Sequence, residues 1–265
     1  MKSAIFAAGA LLATCTLAAP GTAARWANHA ARRAGRTSGF KLPAEDDGVY
    51  AKVNGTAKNV EYSSNWAGAV LSSSGYTSVV GTIVVPKPIS SGRSSSSASA
   101  WVGIDGDTCG TAILQTGLDF SVSSSGTVSY DAWYEWYPDY AYDFTGFSVK
   151  AGDTIKITVT ASSKGAGVAT LQNLTTGKSV SHSFSSESSK LCQYDAEWIV
   201  EDYESGGALV TFANFDSVTF TGASAVKSGA TVGVTGASIL DIKQGSSVLT
   251  DCSTSGSSTV TCNYV

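Results

Sequence analysis

The chain has 265 residues, 43% of them hydrophobic and 14% charged, with 28 glycines and a formal net charge of −4. That length suits one large all-β domain, and so little charge beside abundant Ser, Thr and Gly argues against a helical fold. An acidic body disfavours nucleic-acid binding, and no apolar run beyond the N-terminus approaches membrane-spanning length.

Met1 to about Ala19 combines Lys2, an apolar run from Ala4 to Leu12 and small residues at Ala18 and Ala19, the pattern of a secretory signal. The protein is therefore expected outside the cell. Residues 20–60 form a basic leader: between positions 21 and 60 there are seven Lys or Arg against three acids, whereas residues 61–265 hold nine against eighteen. A basic leader ahead of an acidic body reads as a pro-segment that covers an acidic cleft. From Asn59 onward the chain is a succession of short strand-like runs. They are expected at Trp66–Leu71, Val79–Val85, Ala98–Ile104, Thr111–Leu118, Val128–Tyr137, Thr154–Thr160, Val168–Leu174 and Ser179–Phe184. Further runs fall at Tyr194–Glu201, Ala208–Phe212, Ser217–Thr221, Thr231–Thr235, Ser238–Lys243, Ser247–Thr250 and Ser258–Tyr264. Turn signals such as SSSG, AGD, KGAG and ESGG separate them. So many short strands predict a two-sheet antiparallel β-sandwich, jelly-roll or concanavalin-like, with residues 61–265 as a single mature domain. Asn54 and Asn173 each head a glycosylation sequon.

Side chains of a strand alternate between two faces. Along Tyr130–Tyr137 one face carries Asp131, Trp133, Glu135 and Tyr137, and the other Tyr130, Ala132, Tyr134 and Trp136. Along CQYDAEWIVED the expected core side is Tyr194, Ala196, Trp198 and Val200. Asp195, Glu197, Ile199 and Glu201 lie opposite. Trp101 and Asp105 also share a face of their strand. A stripe of rings and carboxylates exceeds what a solvated face needs and suits a groove for a sugar chain or an extended peptide.

Cys15 falls in the signal segment, which leaves Cys109, Cys192, Cys252 and Cys262 for two disulfides with three possible pairings. Joining Cys109 to Cys192 would staple the strands bearing Gln115 and Glu197 and leave Cys252 and Cys262 to close the last hairpin. The two histidines, His29 and His182, argue against a serine triad or a zinc cluster, and paired cysteines argue against thiol catalysis. His182 alternates with serines and reads as a surface strand residue. Carboxylates and amides are left to carry the chemistry, with no metal or cofactor.

The strings SNWAGAVL, SASAWVGIDGDTCGTAILQTG, YDAWYEWYP and AEWIVED together resemble the glutamic peptidase (eqolisin) family of secreted acid proteases, from about Glu61 to the C-terminal CNYV. The resemblance implies a catalytic dyad of Gln115 and Glu197. It implies a substrate groove of Trp66, Trp101, Asp105, Asp119, Asp131, Trp133, Glu135 and Tyr137, acting on protein or peptide substrates as a monomer. The family fold is a sandwich of two long antiparallel sheets. Some relatives carry a further disulfide just after the glutamate strand, where this chain has EDYESGGALV.

Peptide hydrolysis needs an activated water, a stabilised oxyanion and a proton for the leaving nitrogen. A glutamate serves as base and then acid, and a glutamine amide donates to the oxyanion while its carbonyl holds water. Glutamine does not titrate, so it keeps this capacity in acid. Two rival readings are a sandwich-fold glycoside hydrolase using Glu135 and Glu197, and a lectin-like module binding sugar in its aromatic groove.

Overall fold

The computed structural model describes residues 36–44 and 60–265. The signal segment, most of the leader with His29, and the Asn54 sequon lie outside these residues. No described helix is long and apolar enough to cross a membrane.

Strands in chain order are β1 (Arg36–Thr37), β2 (Val60–Ser63), β3 (Trp66–Ser72), β4 (Tyr76–Val84), β5 (Ser96–Ile104), β6 (Ile113–Val122) and β7 (Val128–Tyr137). They continue as β8 (Tyr142–Asp143), β9 (Thr154–Ser163), β10 (Ala166–Asn173), β11 (Lys178–Phe184), β12 (Asp195–Glu201), β13 (Glu204–Ser205) and β14 (Ala208–Leu209). The last are β15 (Ser217–Lys227), β16 (Ala230–Gly233), β17 (Ser238–Gln244), β18 (Ser247–Val248), β19 (Thr250–Ser255) and β20 (Thr259–Tyr264). Two large sheets result. One runs β11-β10-β9-β4-β15-β20-β19 with β16 beside β15, and the other β18-β17-β3-β12-β5-β6-β7-β8 with β2 beside β17. The expected all-β sandwich is present, with one parallel pair, β2 on β17, at its margin.

The core lies between the sheets and is built from the inward alternation of each strand. Val79 and Ile83 of β4, Ile155, Ile157 and Val159 of β9, and Val218 and Phe220 of β15 meet Ala100, Val102, Leu118, Ala132, Trp136, Trp198 and Val200 from the other sheet. Trp198 also donates its indole N–H to the Val80 carbonyl at 2.7 Å. A second apolar cluster, Trp66, Val70, Trp101, Ile113, Trp133, Ala141, Ile199 and Leu240, sits on the other face of the larger sheet. The expected two-sided reading of β7 and β12 therefore holds, except at Tyr194. That residue precedes β12 rather than joining it, and its ring is 45% exposed.

Disulfides join Cys109 to Cys192 and Cys252 to Cys262. The first closes a long loop between the start of β6 and the approach to β12. Asn173 departs from what its sequon suggests. Its side chain is buried, Nδ2 donates to Asp153 at 2.9 Å, and its Oδ1 accepts from the Thr175 and Thr176 N–H groups. His182 is half-buried and stacks on Tyr134 with ring centroids 3.9 Å apart.

Candidate active site

Register places the site. Gly103 of β5 lies opposite Glu197 of β12 on one side and Gln115 of β6 on the other. Adjacent strands are about 4.8 Å apart, so Gln115 and Glu197 spring from backbones roughly 10 Å apart with no side chain between them. Gly103 is what leaves that gap: a Cβ there would come within 3.1 Å of Glu197 Oε2 and 2.7 Å of the Trp101 ring. The same registers continue along the sheet. Gln115 faces Glu135, Gly117 faces Trp133 and Asp119 faces Asp131. Trp101 faces Ile199, and Ser99 faces Glu201. One face thus gathers Trp66, Trp101, Gln115, Asp119, Asp131, Trp133, Glu135, Tyr137, Glu197 and Glu201. Trp66 and Trp101 meet edge to face at 5.0 Å.

Gln115 is buried and its amide is oriented by two acceptors. Nε2 donates to Glu135 Oε2 at 3.2 Å and to the Ser38 backbone carbonyl at 2.8 Å. Its Oε1 has no protein partner, and neither Glu197 oxygen makes a well-formed protein hydrogen bond although the residue is fully buried. Buried polar atoms without partners are rare, and these three, on side chains of one face, are free to hold water or a reacting group. Burial pushes the Glu197 carboxyl well above the usual carboxylate range, and Asp195, Asp105 and Asp107 push it further. Glu135 is raised in the same way, against the pull of Arg36.

Asp105, expected in the groove, has a different task. It adopts a left-handed backbone (φ 72°), and its carboxylate accepts from the N–H groups of Gln193, Tyr194 and Asp195. Asp195 in turn accepts from the Thr108 and Cys109 N–H groups and the Thr108 hydroxyl. The DGDTCG loop is therefore pinned to the entry of β12 by two carboxylates and a disulfide. Asp105 holds Glu197's strand in place.

Residues 36–44 of the leader lie across this face. β1 pairs antiparallel with β13, and β13 turns into β14 through Gly206 and Gly207, both at positive φ, as a two-residue hairpin of this kind requires. The Arg36 guanidinium is buried, bonded to both Asp119 oxygens at 2.6 Å, and flanked by the Trp133 and Tyr203 rings at 4.2 and 4.6 Å. Burial alone would lower its pKa, but Asp119 and then Glu135 hold it above the ordinary value. Lys41 pairs with Asp107 and Glu61, and Phe40 meets Tyr137 edge to face at 4.7 Å. Glu201 and Tyr203 belong to this site although they were not singled out. Alternation already put Glu201 on Glu197's face, and it accepts from the Trp101 indole at 2.8 Å. Tyr203 follows the strand's end, where alternation gives no signal. Of the described acids and cysteines, only Asp105, Cys109 and Cys192 are close enough to suggest a metal, and the two cysteines are joined to each other.

Residues 64–264 match the Peptidase A4 family. The chain is 53% identical to Aspergillopepsin-2 of Aspergillus niger over the whole of both chains. It is 46% identical to Scytalidopepsin B of Scytalidium lignicola, over 96% of this chain and 95% of that one. Among solved structures it is similar to scytalido-glutamic peptidase bound to a transition state analog inhibitor, at TM-score 0.69 and 47% identity, covering 76% of this chain and 98% of that chain. Aspergilloglutamic peptidase from Aspergillus niger matches at TM-score 0.62 and 60% identity over 64% of this chain and 99% of that one. With a glutamine and a glutamate set on one face by this register, the chain belongs to the Peptidase A4 family and is a glutamic peptidase, an eqolisin.

Proposed function

We propose that the protein is a secreted acid endopeptidase in which Gln115 and Glu197 cut the peptide bonds of protein substrates. The observation that carries this reading is the hydrogen bond from Gln115 Nε2 to a backbone carbonyl, beside a glutamate that shares Gly103 as its neighbour. Glu197 as carboxylate takes a proton from the attacking water and returns it to the leaving nitrogen. The Gln115 N–H stabilises the oxyanion, and its free Oε1 orients the water. Glu135, by accepting the other Nε2 hydrogen, keeps the amide facing the right way. Water entering the groove lowers the desolvation that holds Glu197 protonated, which restores the base.

Trp66, Trp101, Asp119, Asp131, Trp133 and Tyr137 line the groove for an extended chain, and the enzyme acts as a monomer without cofactor. Residues 20–60 serve as a propeptide removed on maturation. Seated over the dyad, Arg36 on Asp119 and Lys41 on Asp107 and Glu61 shield the site from other chains. Mature enzyme given acid-denatured protein and a β-glucan side by side should digest only the protein. Gln115→Ala should lower turnover by roughly 10²–10³-fold, the worth of one oxyanion donor. Glucan hydrolysis, or unimpaired proteolysis by the variant, would contradict the reading.

A further inference from the structure

Beyond Glu197 on the same face of β12, Glu201 ends the strand fully buried. It lies opposite Ser99 of β5, while Trp101 lies opposite Ile199, so the two side chains meet on the diagonal between the strands. There Glu201 Oε2 accepts from the Trp101 indole N–H at 2.8 Å. The indole can lie down on the sheet because two glycines make room for it. Gly117, directly across on β6, would put a Cβ 2.5 Å from Trp101 Cβ, and a Cβ on Gly103 would come 2.7 Å from Cζ3 of the ring. That second point is also 3.1 Å from Glu197 Oε2. One edge of the ring therefore borders the gap beside Glu197, and the opposite edge carries the N–H bonded to Glu201. Apolar neighbours such as Trp66, edge to face at 5.0 Å, set where the ring sits but not which way it faces. The hydrogen bond does that, because turning the indole over would take its buried N–H away from Glu201.

We infer that Glu201 is a positioning residue: by holding the Trp101 indole against the gap left by Gly103, it fixes where the Glu197 carboxyl stands as water is activated. The inference rests on the dyad reading above, and Glu201 acts through Trp101 rather than on the reacting atoms. Burial raises Glu201 to about 8 against the pull of Arg36, so in acid it is a neutral group. Oε2 then accepts from the indole, and Oε1, which has no protein partner, carries the proton. Glutamine is a neutral isostere with an oxygen for the same N–H, whereas leucine fills the space and accepts nothing.

The test measures kcat and KM on a peptide substrate at acid pH for the mature enzyme. Wild type is compared with Glu201→Leu, Glu201→Gln, Trp101→Phe and the double variant Trp101→Phe/Glu201→Leu, and denaturant midpoints show which are folded. Gln115→Ala is run beside them. Glu201→Leu should lower kcat by about 10- to 10²-fold, the scale of a displacement of roughly 1 Å at reacting groups. KM should stay within about twofold, since the loss is one of transition-state placement. Trp101→Phe keeps a ring but has no N–H, and it should lose at least as much. Adding Glu201→Leu to it should cost little more, because the pair acts as one unit. Glu201→Gln should recover most of what Glu201→Leu loses. Unchanged kcat in folded Glu201→Leu, a loss carried by KM, losses that multiply in the double variant, or Glu201→Gln no better than Glu201→Leu overturns the proposal. If Glu201→Leu does not fold, Trp101→Phe decides, and wild-type kcat there overturns it. When Gln115→Ala is impaired in such a case, the dyad reading stands. If Gln115→Ala matches wild type, both fall.

Discussion

Gly103 shows how a residue without a side chain organises one of the site's main relationships. Gln115 and Glu197 drew notice through the family resemblance of the strings around them, since a glutamine or glutamate in a strand is by itself ordinary. Gly103 drew none, since its contribution is the space it leaves, and only register reveals that Glu197 and Gln115 flank it. Gly103→Ala puts a methyl group within 3.1 Å of Glu197 Oε2 and forces the carboxyl or Trp101 aside. A displacement of about 1 Å at reacting groups costs on the order of 10²-fold. Peptide turnover by a folded Gly103→Ala enzyme should fall by about that factor, and wild-type rates would contradict the geometry. Asp105 misled in the opposite direction. Its place on Trp101's face fitted a groove residue, yet three backbone N–H groups across the loop claim it, and no local pattern announces contacts so distant in sequence. Asn173 gives a further expectation. With its side chain buried and bonded to Asp153, the folded protein should carry no glycan there. Intact mass before and after N-glycan removal reads this, and a shift mapped to Asn173 would refute it.

At the scale of elements, the long strands were legible because period-two alternation repeats several times along each. The two-residue strands β1, β8 and β13 were not, because so short a ladder has no period to read. Two of these hold the leader. β1 owes its place to the Arg36–Asp119 pair and to the β13–β14 hairpin. Arg36→Ala leaves Asp119 buried without its partner and should release the segment. Hydrogen exchange at the Lys41 and Leu42 amides should then quicken at least about tenfold, the equivalent of roughly 1.4 kcal/mol. Unchanged protection would mean that Arg36 does not anchor it. The Cys109–Cys192 link spans 83 residues of sequence. By loop entropy, replacing both cysteines with serine should cost on the order of 4–5 kcal/mol, read as a lower denaturant midpoint. A midpoint within error of wild type would show that Asp105 and Asp195 hold the loop alone.

For the whole molecule, composition and turn signals were enough for a two-sheet sandwich, while the pairing order and the parallel edge strand depend on long-range register. The fold also concentrates acids where water is excluded. Burial raises Glu201 to about 8 and Asp202 to about 7, and holds Glu135 and Glu197 well above their ordinary value. The folded state therefore binds more protons than the unfolded chain once pH exceeds the ordinary carboxylate values of 3.8 to 4.5. Their stabilisation is complete below that range and is lost as pH rises through 7 to 8. The unfolding temperature of the full chain should fall steadily from about pH 4.5 to pH 8. A rise over that interval would contradict the burial of these groups. The same architecture brings two distant chemical groups onto one face, and their joint action is the claim on which everything else depends. The most direct measurement is hydrolysis of acid-denatured protein by purified Glu197→Gln beside the wild type, with both shown to be folded. The variant should release essentially no peptide where the wild type digests freely, and comparable digestion by the two would contradict the account.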